Sequence, residues 1–291
     1  MAKPSATNPK TAQASTAIRA FYSALGCPFE VISPSDEIAQ GVDFIYREMR
    51  VQSLPPNAIA IQIRPPMTGS SALEVTIAGE TRFESSRLGD LLHQLDNELT
   101  IAIEKSRPDL YFVHSAALVE DGTATLLVGD SGAGKSTTCY ALCVSGMGYL
   151  SDELAAIEPR SGQVLPYPRA ICLKQDPPAP LRLPTSLLRT EWTLHAQASS
   201  LGSEVVKSGA SLSRIIFVRW SVSHARPTMK PISRGEAALR LYQGALNQLA
   251  HPAFGLDDTV RLIERSACFE LLSAGIEETV ALVRRGTLEV S

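Results

Sequence analysis

The stretch TATLLVGDSGAGKSTT, running from Thr123 to Thr138, decides the fold. Thr123 to Val128 is rich in β-formers and reads as a strand, and Ser136 to Val144 reads as a helix. Between them, Gly129, Asp130, Ser131, Gly132, Ala133, Gly134, Lys135 and Ser136 satisfy the full phosphate-loop spacing: two glycines with four residues between them, then lysine and a hydroxyl. Glycines at these positions let the backbone come close to an anion, so that successive amides and the helix N-terminus can surround phosphate oxygens. Lys135 is placed to reach the β and γ phosphates of a nucleoside triphosphate and Ser136 to ligate Mg²⁺, with Thr137 continuing the cradle.

Working outward, a short strand is expected over Gly148 to Ser151, and Asp152-Glu153 follows it directly. A strand end beside the loop puts both carboxylates within reach of Mg²⁺ and a reacting hydroxyl. Asp152 is assigned as the general base and Glu153 as a magnesium ligand, direct or through water, an assignment that the spacing also allows to be exchanged. Upstream, Leu110 to Val119 reads as one strand carrying His114, and Asp121-Gly122 as the hairpin turn that leads into the loop strand. Leu154 to Ile157 and Val164 to Tyr167 form an expected hairpin, after which Arg169 and Lys174 could return cations to the phosphates.

The rest of the chain divides around Pro108. Residues 18–107 are expected to form a small, sheet-rich α+β domain, with strands near Ala58 to Ile63 and Leu73 to Ile77. Leu88, Leu91, Leu92, Leu95, Leu99 and Ile103 recur at helical spacing and describe an amphipathic helix that ends before Pro108. Residues 108–291 form the nucleotide-binding part. Within it, Glu191 to Ser213 reads as a mobile loop, Ile215 to Trp220 as a buried strand, and Ser233 with Glu236 as a capping box. The capped helix is expected to carry one face through Ala237, Leu241, Ala245 and Leu249, and helix, strand and helix follow at about 257–266, 268–272 and 276–285. Residues 1–17, rich in Ala, Ser and Thr, are expected to be a disordered tail.

Composition narrows the function classes. A net charge of −3 over 291 residues, with no dense basic block, argues against nucleic acid or an anionic membrane as partner. No run of about 18 apolar residues exists to cross a membrane, and the first residues lack the apolar core of a secretory signal. Five scattered cysteines show neither zinc spacing nor disulfide density. A reduced, cytoplasmic protein is the reading, and its oligomeric state stays open, a homo-oligomer included.

The run His114-Ser-Ala-Ala, the loop Gly129 to Thr137, Tyr149 to Glu153, and Pro166-Tyr-Pro-Arg169 with Lys174 together resemble the HPr kinase-related proteins. These belong to the HPr kinase and PEP carboxykinase-like fold, and the resemblance covers roughly residues 85–285. It implies an α/β PEP carboxykinase-like P-loop kinase core of mixed sheet flanked by helices. It also implies an ATP- and Mg²⁺-dependent kinase, with the proton-handling residue matching Asp152 and the phosphate-supporting histidine matching His114. Two features depart from that pattern: Glu153 stands where a second Asp is usual, and the glycine-rich signature after the acids is missing. HPr itself is therefore not supported as the acceptor, and analogy with relatives in this group implies a serine-type hydroxyl on a peptide, protein or small molecule, such as an amino acid. A small-molecule kinase of the shikimate-kinase type fits the loop but not the long segment before it. The competing class is a non-catalytic ATP-binding module that regulates a partner.

Overall fold

The computed structural model describes residues 17–65, 70–220 and 226–288. All but one residue of the tail expected over residues 1–17 lies outside these.

Apolar alternation builds the first sheet. In β1 (Ile18–Ala24) and β2 (Cys27–Ser33) every second side chain is buried. The sheet continues through β3 (Ile59–Arg64), β4 (Leu73–Ile77) and β5 (Glu80–Ser85), in that spatial order. Helix α1 (Asp36–Tyr46) crosses between the parallel strands β2 and β3. Its start is set by Ser35, whose side chain accepts from the Ile38 amide, with Asp36 and Glu37 favouring the positive helix end. Helix α2 (Leu88–Ser106) then buries Leu91, Leu92, Leu95, Leu99 and Ile103 against α1 and the sheet.

The second sheet is mixed and holds nine strands. In chain order the first six are β6 (Tyr111–Val113), β7 (Ser115–Glu120), β8 (Thr123–Val128), β9 (Gly148–Ser151), β10 (Ala155–Ile157) and β11 (Gln163–Leu165). Helix α3 (Lys135–Val144) joins β8 to β9. A third, three-stranded sheet comprises β12 (Ile171–Leu173), β13 (Leu188–Arg189) and β14 (Leu194–Ala196). The chain returns to the large sheet with β15 (Ala210–Trp220) and β16 (Thr228–Pro231), passes through α4 (Arg234–Gln243) and α5 (Leu256–Glu264), and ends with β17 (Ala267–Ser273) and α6 (Ile276–Leu288).

At the centre of this sheet β8, β15 and β17 run parallel, while β7 pairs antiparallel with both β8 and β9. Side-chain alternation sends Leu127, Ile216 and Val218 to one face with Cys139 and Leu142 of α3. Leu126, Ile215 and Phe217 go to the other, with Ala237 and Leu241 of α4 and Leu262 of α5. The result is a mixed α/β molecule whose large sheet is covered on both faces by helices.

Three expectations change. The strand read over Leu110 to Val119 is two strands broken at His114, because the His114 amide donates to Gly244 O and Val113 bridges to Ala245. The helical face read through Leu249 stops at Gln243. The chain turns there because Leu246 N donates to Phe112 O and the Asn247 side chain binds both Phe112 N and Leu110 O, which leaves Leu249 85% exposed. Finally, Glu191 to Ser213 is not one open loop. It contains buried β14, the Gln197 side chain donates to Phe44 O, and Lys207 pairs with Glu48.

Candidate active site

The glycine-rich loop 129–136 is held by what its residues lack. A Cβ on Gly129 would lie 2.6 Å from Val218 O, so only glycine lets β8 leave the sheet this close to β15. Gly134 sits at φ 94° and is the N-cap of α3, a left-handed conformation in which a side chain is strained. The first amides of α3 therefore face the loop without partners inside the helix. Lys135 opens that helix and is nearly buried; its Nζ donates to Gly129 O at 2.6 Å and to Asp130 O at 3.1 Å. Burial pushes its pKa down. Asp130, Ser131 and Gly132 form the exposed crest, and Ala133 is tied back by its amide to Asp130 O. Lys174, just past β12, reaches across and donates to Ser131 Oγ at 2.7 Å.

The acids come from the next parallel strand. Ser151 closes β9 with a hydrogen bond from its hydroxyl to Leu154 O at 2.6 Å, fixing the turn that carries Asp152 and Glu153. Their surroundings differ sharply. Asp152 is buried: its Oδ2 accepts from the Cys172 amide at 3.0 Å, while Oδ1 has no partner. Burial and the neighbouring Glu153 charge raise its pKa to about 6, opposed by the Cys172 amide, Arg169 and the Ser136 hydroxyl. Glu153 is 39% exposed, with Oε1 3.2 Å from His114 Nδ1 and Oε2 3.8 Å from Arg169. Burial lowers the His114 pKa, with Lys135 and Lys174 adding to that effect and Glu153 opposing it. The contact thus suits a neutral imidazole donating from Nδ1.

Arg169 has its nearest ionic partner on α2, outside the loop. It is buried and pairs with Asp96 of α2 at 2.9 Å, and Asp96 also accepts from Tyr46 Oη at 2.7 Å. A continuous polar chain therefore runs from Tyr46 through Asp96, Arg169 and Glu153 to His114.

The loop, His114, Glu153 and Arg169 line one cleft of about 490 Å³, and His93 and Asn97 of α2 form part of its wall. Thr137 and Ser136 also line it, whereas Asp152 lies behind. A second hollow of about 590 Å³ behind α3 is lined by Val144, Leu181, Leu201 and Val280, and contains none of the motif residues. Five buried polar atoms among the described residues lack a partner: Ser115 Oγ, Asp152 Oδ1, Tyr167 Oη, Arg169 Nε and His195 Nδ1. Ser115, Asp152 and Tyr167 lie within two residues of His114, Glu153 and Arg169 respectively, and His195 is paired in register with Cys172. Of these five residues, Arg169 lines the cleft and the others lie behind its wall or in the core.

The α2 residues Asp96, His93 and Asn97 were not read from the sequence as part of a site. The available signal was Asp96 itself, an acid set among Leu92, Leu95 and Leu99 on the buried face of an amphipathic helix.

No group of three His, Cys, Asp or Glu side chains able to hold a metal occurs among the described residues. The oxygen donors of Ser136 and Asp152, whose side chains interact and of which Asp152 Oδ1 keeps no hydrogen-bond partner, nevertheless fit a nucleotide-bound magnesium ion. All five cysteines are free, and no helix among the described residues is long and apolar enough to cross a membrane.

No family model and no curated protein matches the chain. Among solved structures it is similar to the Hpr(Ser) kinase/phosphatase from Coxiella burnetii, at 14% sequence identity over 61% of this chain and 97% of that one, with a TM-score of 0.31. The likeness is weak.

Proposed function

We propose that the chain is an ATP- and Mg²⁺-dependent phosphotransferase that carries the γ-phosphoryl group to a hydroxyl. The observation that supports this reading best is the convergence of the glycine-rich loop, two lysines and two unlike carboxylates from the large sheet, α3 and the end of β12.

In this reading the loop amides, Lys135 and Lys174 hold the phosphates. Lys135 exchanges its two carbonyl partners for phosphate oxygens, which its short tether to the loop permits. Ser136 and Asp152 would hold Mg²⁺, which supplies charge neutralisation on the transferred group. The burial of Asp152 beside Ser136 favours it as the metal ligand, and the exposure of Glu153 in the cleft favours it as the base, so we exchange the roles first assigned to them. Glu153 takes the proton as the acceptor oxygen bonds to phosphorus and the bond to the β-phosphate oxygen breaks. His114 holds one carboxylate oxygen and leaves the other for the proton. Arg169, fixed by Asp96, orients Glu153.

The test is transfer of ³²P from γ-labelled ATP to pools of amino acids, peptides and proteins. Glu153→Gln is expected to lower transfer at least 100-fold with ATP affinity within about threefold of wild type. ATP binding by the wild type with no label on any pool would instead support the regulatory module.

A further inference from the structure

The phosphate loop has two flanks, and only one carries the acids. On the other, β15 and β17 end side by side in Trp220 and Ser273, which are paired in register. A Cβ on Gly134 would lie 3.5 Å from Trp220 Cβ and 3.6 Å from Ser273 Oγ, so the indole springs from the wall of the loop itself. Trp220 is nonetheless 56% exposed.

The other tryptophan, Trp192, is equally exposed but engaged. Its Nε1 donates to Asp90 Oδ1 at 3.1 Å, and the Arg87 guanidinium lies 5.9 Å from the ring. Trp220 has no hydrogen bond, cation or ring contact through its indole among the described residues. An aromatic face of that size left in water forgoes burial that the core could have supplied. It also stands at the carboxyl edge of parallel strands, where open α/β sheets bind ligands.

We infer that Trp220 is the platform on which the base of the bound nucleotide stacks. The inference rests on the phosphotransferase reading and adds to it the location of the nucleoside. Catalysis by Glu153 requires the terminal phosphate to point toward β9, two strands to one side of the loop strand β8. The rest of the nucleotide then leaves the cradle away from the acids, toward β15, the neighbour of β8 on the other side. Three strand spacings separate the acids from Trp220, about 14 Å at 4.8 Å each, which leaves room for phosphates and sugar between them. An indole face recognises the π-surface of a base and not its edge, so purine triphosphates should bind alike.

The full chain, with Mg²⁺ present, is titrated calorimetrically with ATP, GTP and inorganic tripolyphosphate, for the wild type, Trp220→Ala and Trp220→Tyr. Trp220→Ala is expected to weaken ATP and GTP about tenfold and to leave tripolyphosphate within twofold, with Trp220→Tyr restoring most of the loss. Equal weakening of ATP and tripolyphosphate in Trp220→Ala would overturn the platform, since it would show only a damaged loop. Unchanged ATP affinity in Trp220→Ala would overturn it too. A wild type that binds tripolyphosphate as tightly as ATP overturns the platform and spares the phosphate loop. Binding of neither probe by the wild type overturns both readings.

Discussion

Gly129 shows how a single missing methyl shapes the site. The 2.6 Å from its absent Cβ to Val218 O is a contact with backbone, which cannot swing aside as a flexible side chain would. Gly129→Ala is expected to push β8 and β15 apart locally, destabilising the fold by about 1–3 kcal/mol. Urea unfolding measures that cost, and calorimetry with tripolyphosphate should show binding weakened beyond it. Lys135 makes the complementary point. A cation folded onto two carbonyls keeps a partly buried charge solvated by its own loop, and those bonds can be given up when a stronger anion arrives. Glycine spacing and a following lysine are visible in any sequence, so this part of the site was legible at once. Which of Asp152 and Glu153 is buried was not, because adjacent acids in a sequence do not say which one faces inward.

Local elements were largely legible, and the exceptions share a cause. Leu25-Gly26, Ala78-Gly79 and Asp121-Gly122 each adopt two consecutive positive φ angles and close two-residue hairpins. Asp121-Gly122 was read correctly because Asp-Gly is a strong signal, and α2 because its leucines keep period. The break at His114 depends on Gly244, the early end of α4 on Phe112 and Leu110, and the order of 191–213 on Phe44 and Glu48. Each is a contact between segments far apart in the chain, which no local pattern encodes. The same holds for Asp96, whose partner Arg169 comes from another element. Asp96→Asn breaks that buried ion pair and is expected to cost about 3–5 kcal/mol of stability. Under conditions where the variant stays folded, turnover should fall while the KM for ATP holds. Asp96→Glu should recover part of the rate, which a purely structural defect would not explain.

Across the whole molecule, the burial of Asp152 couples stability to pH. Its pKa rises from an ordinary 3.8 to about 6 in the folded chain, so the folded state holds a proton that the unfolded state releases. The resulting stabilisation is present in full below about pH 4 and is lost as pH rises through 6, about 3 kcal/mol in all. Asp152→Asn removes this dependence. Its unfolding midpoint relative to wild type should therefore climb between pH 5 and pH 7.5, measured by thermal melts without nucleotide. A difference that stays flat over that range would show that the folded-state carboxylate does not titrate near pH 6.

The Asp96–Arg169 pair carries a consequence for how such a chain can diverge. One partner is on a helix of the first sheet's layer and the other beside the three-stranded sheet, yet each is the other's nearest opposite charge in the interior. Drift at either position alone is penalised, so the two should covary, passing through lineages as one inherited character written at two distant places in the sequence.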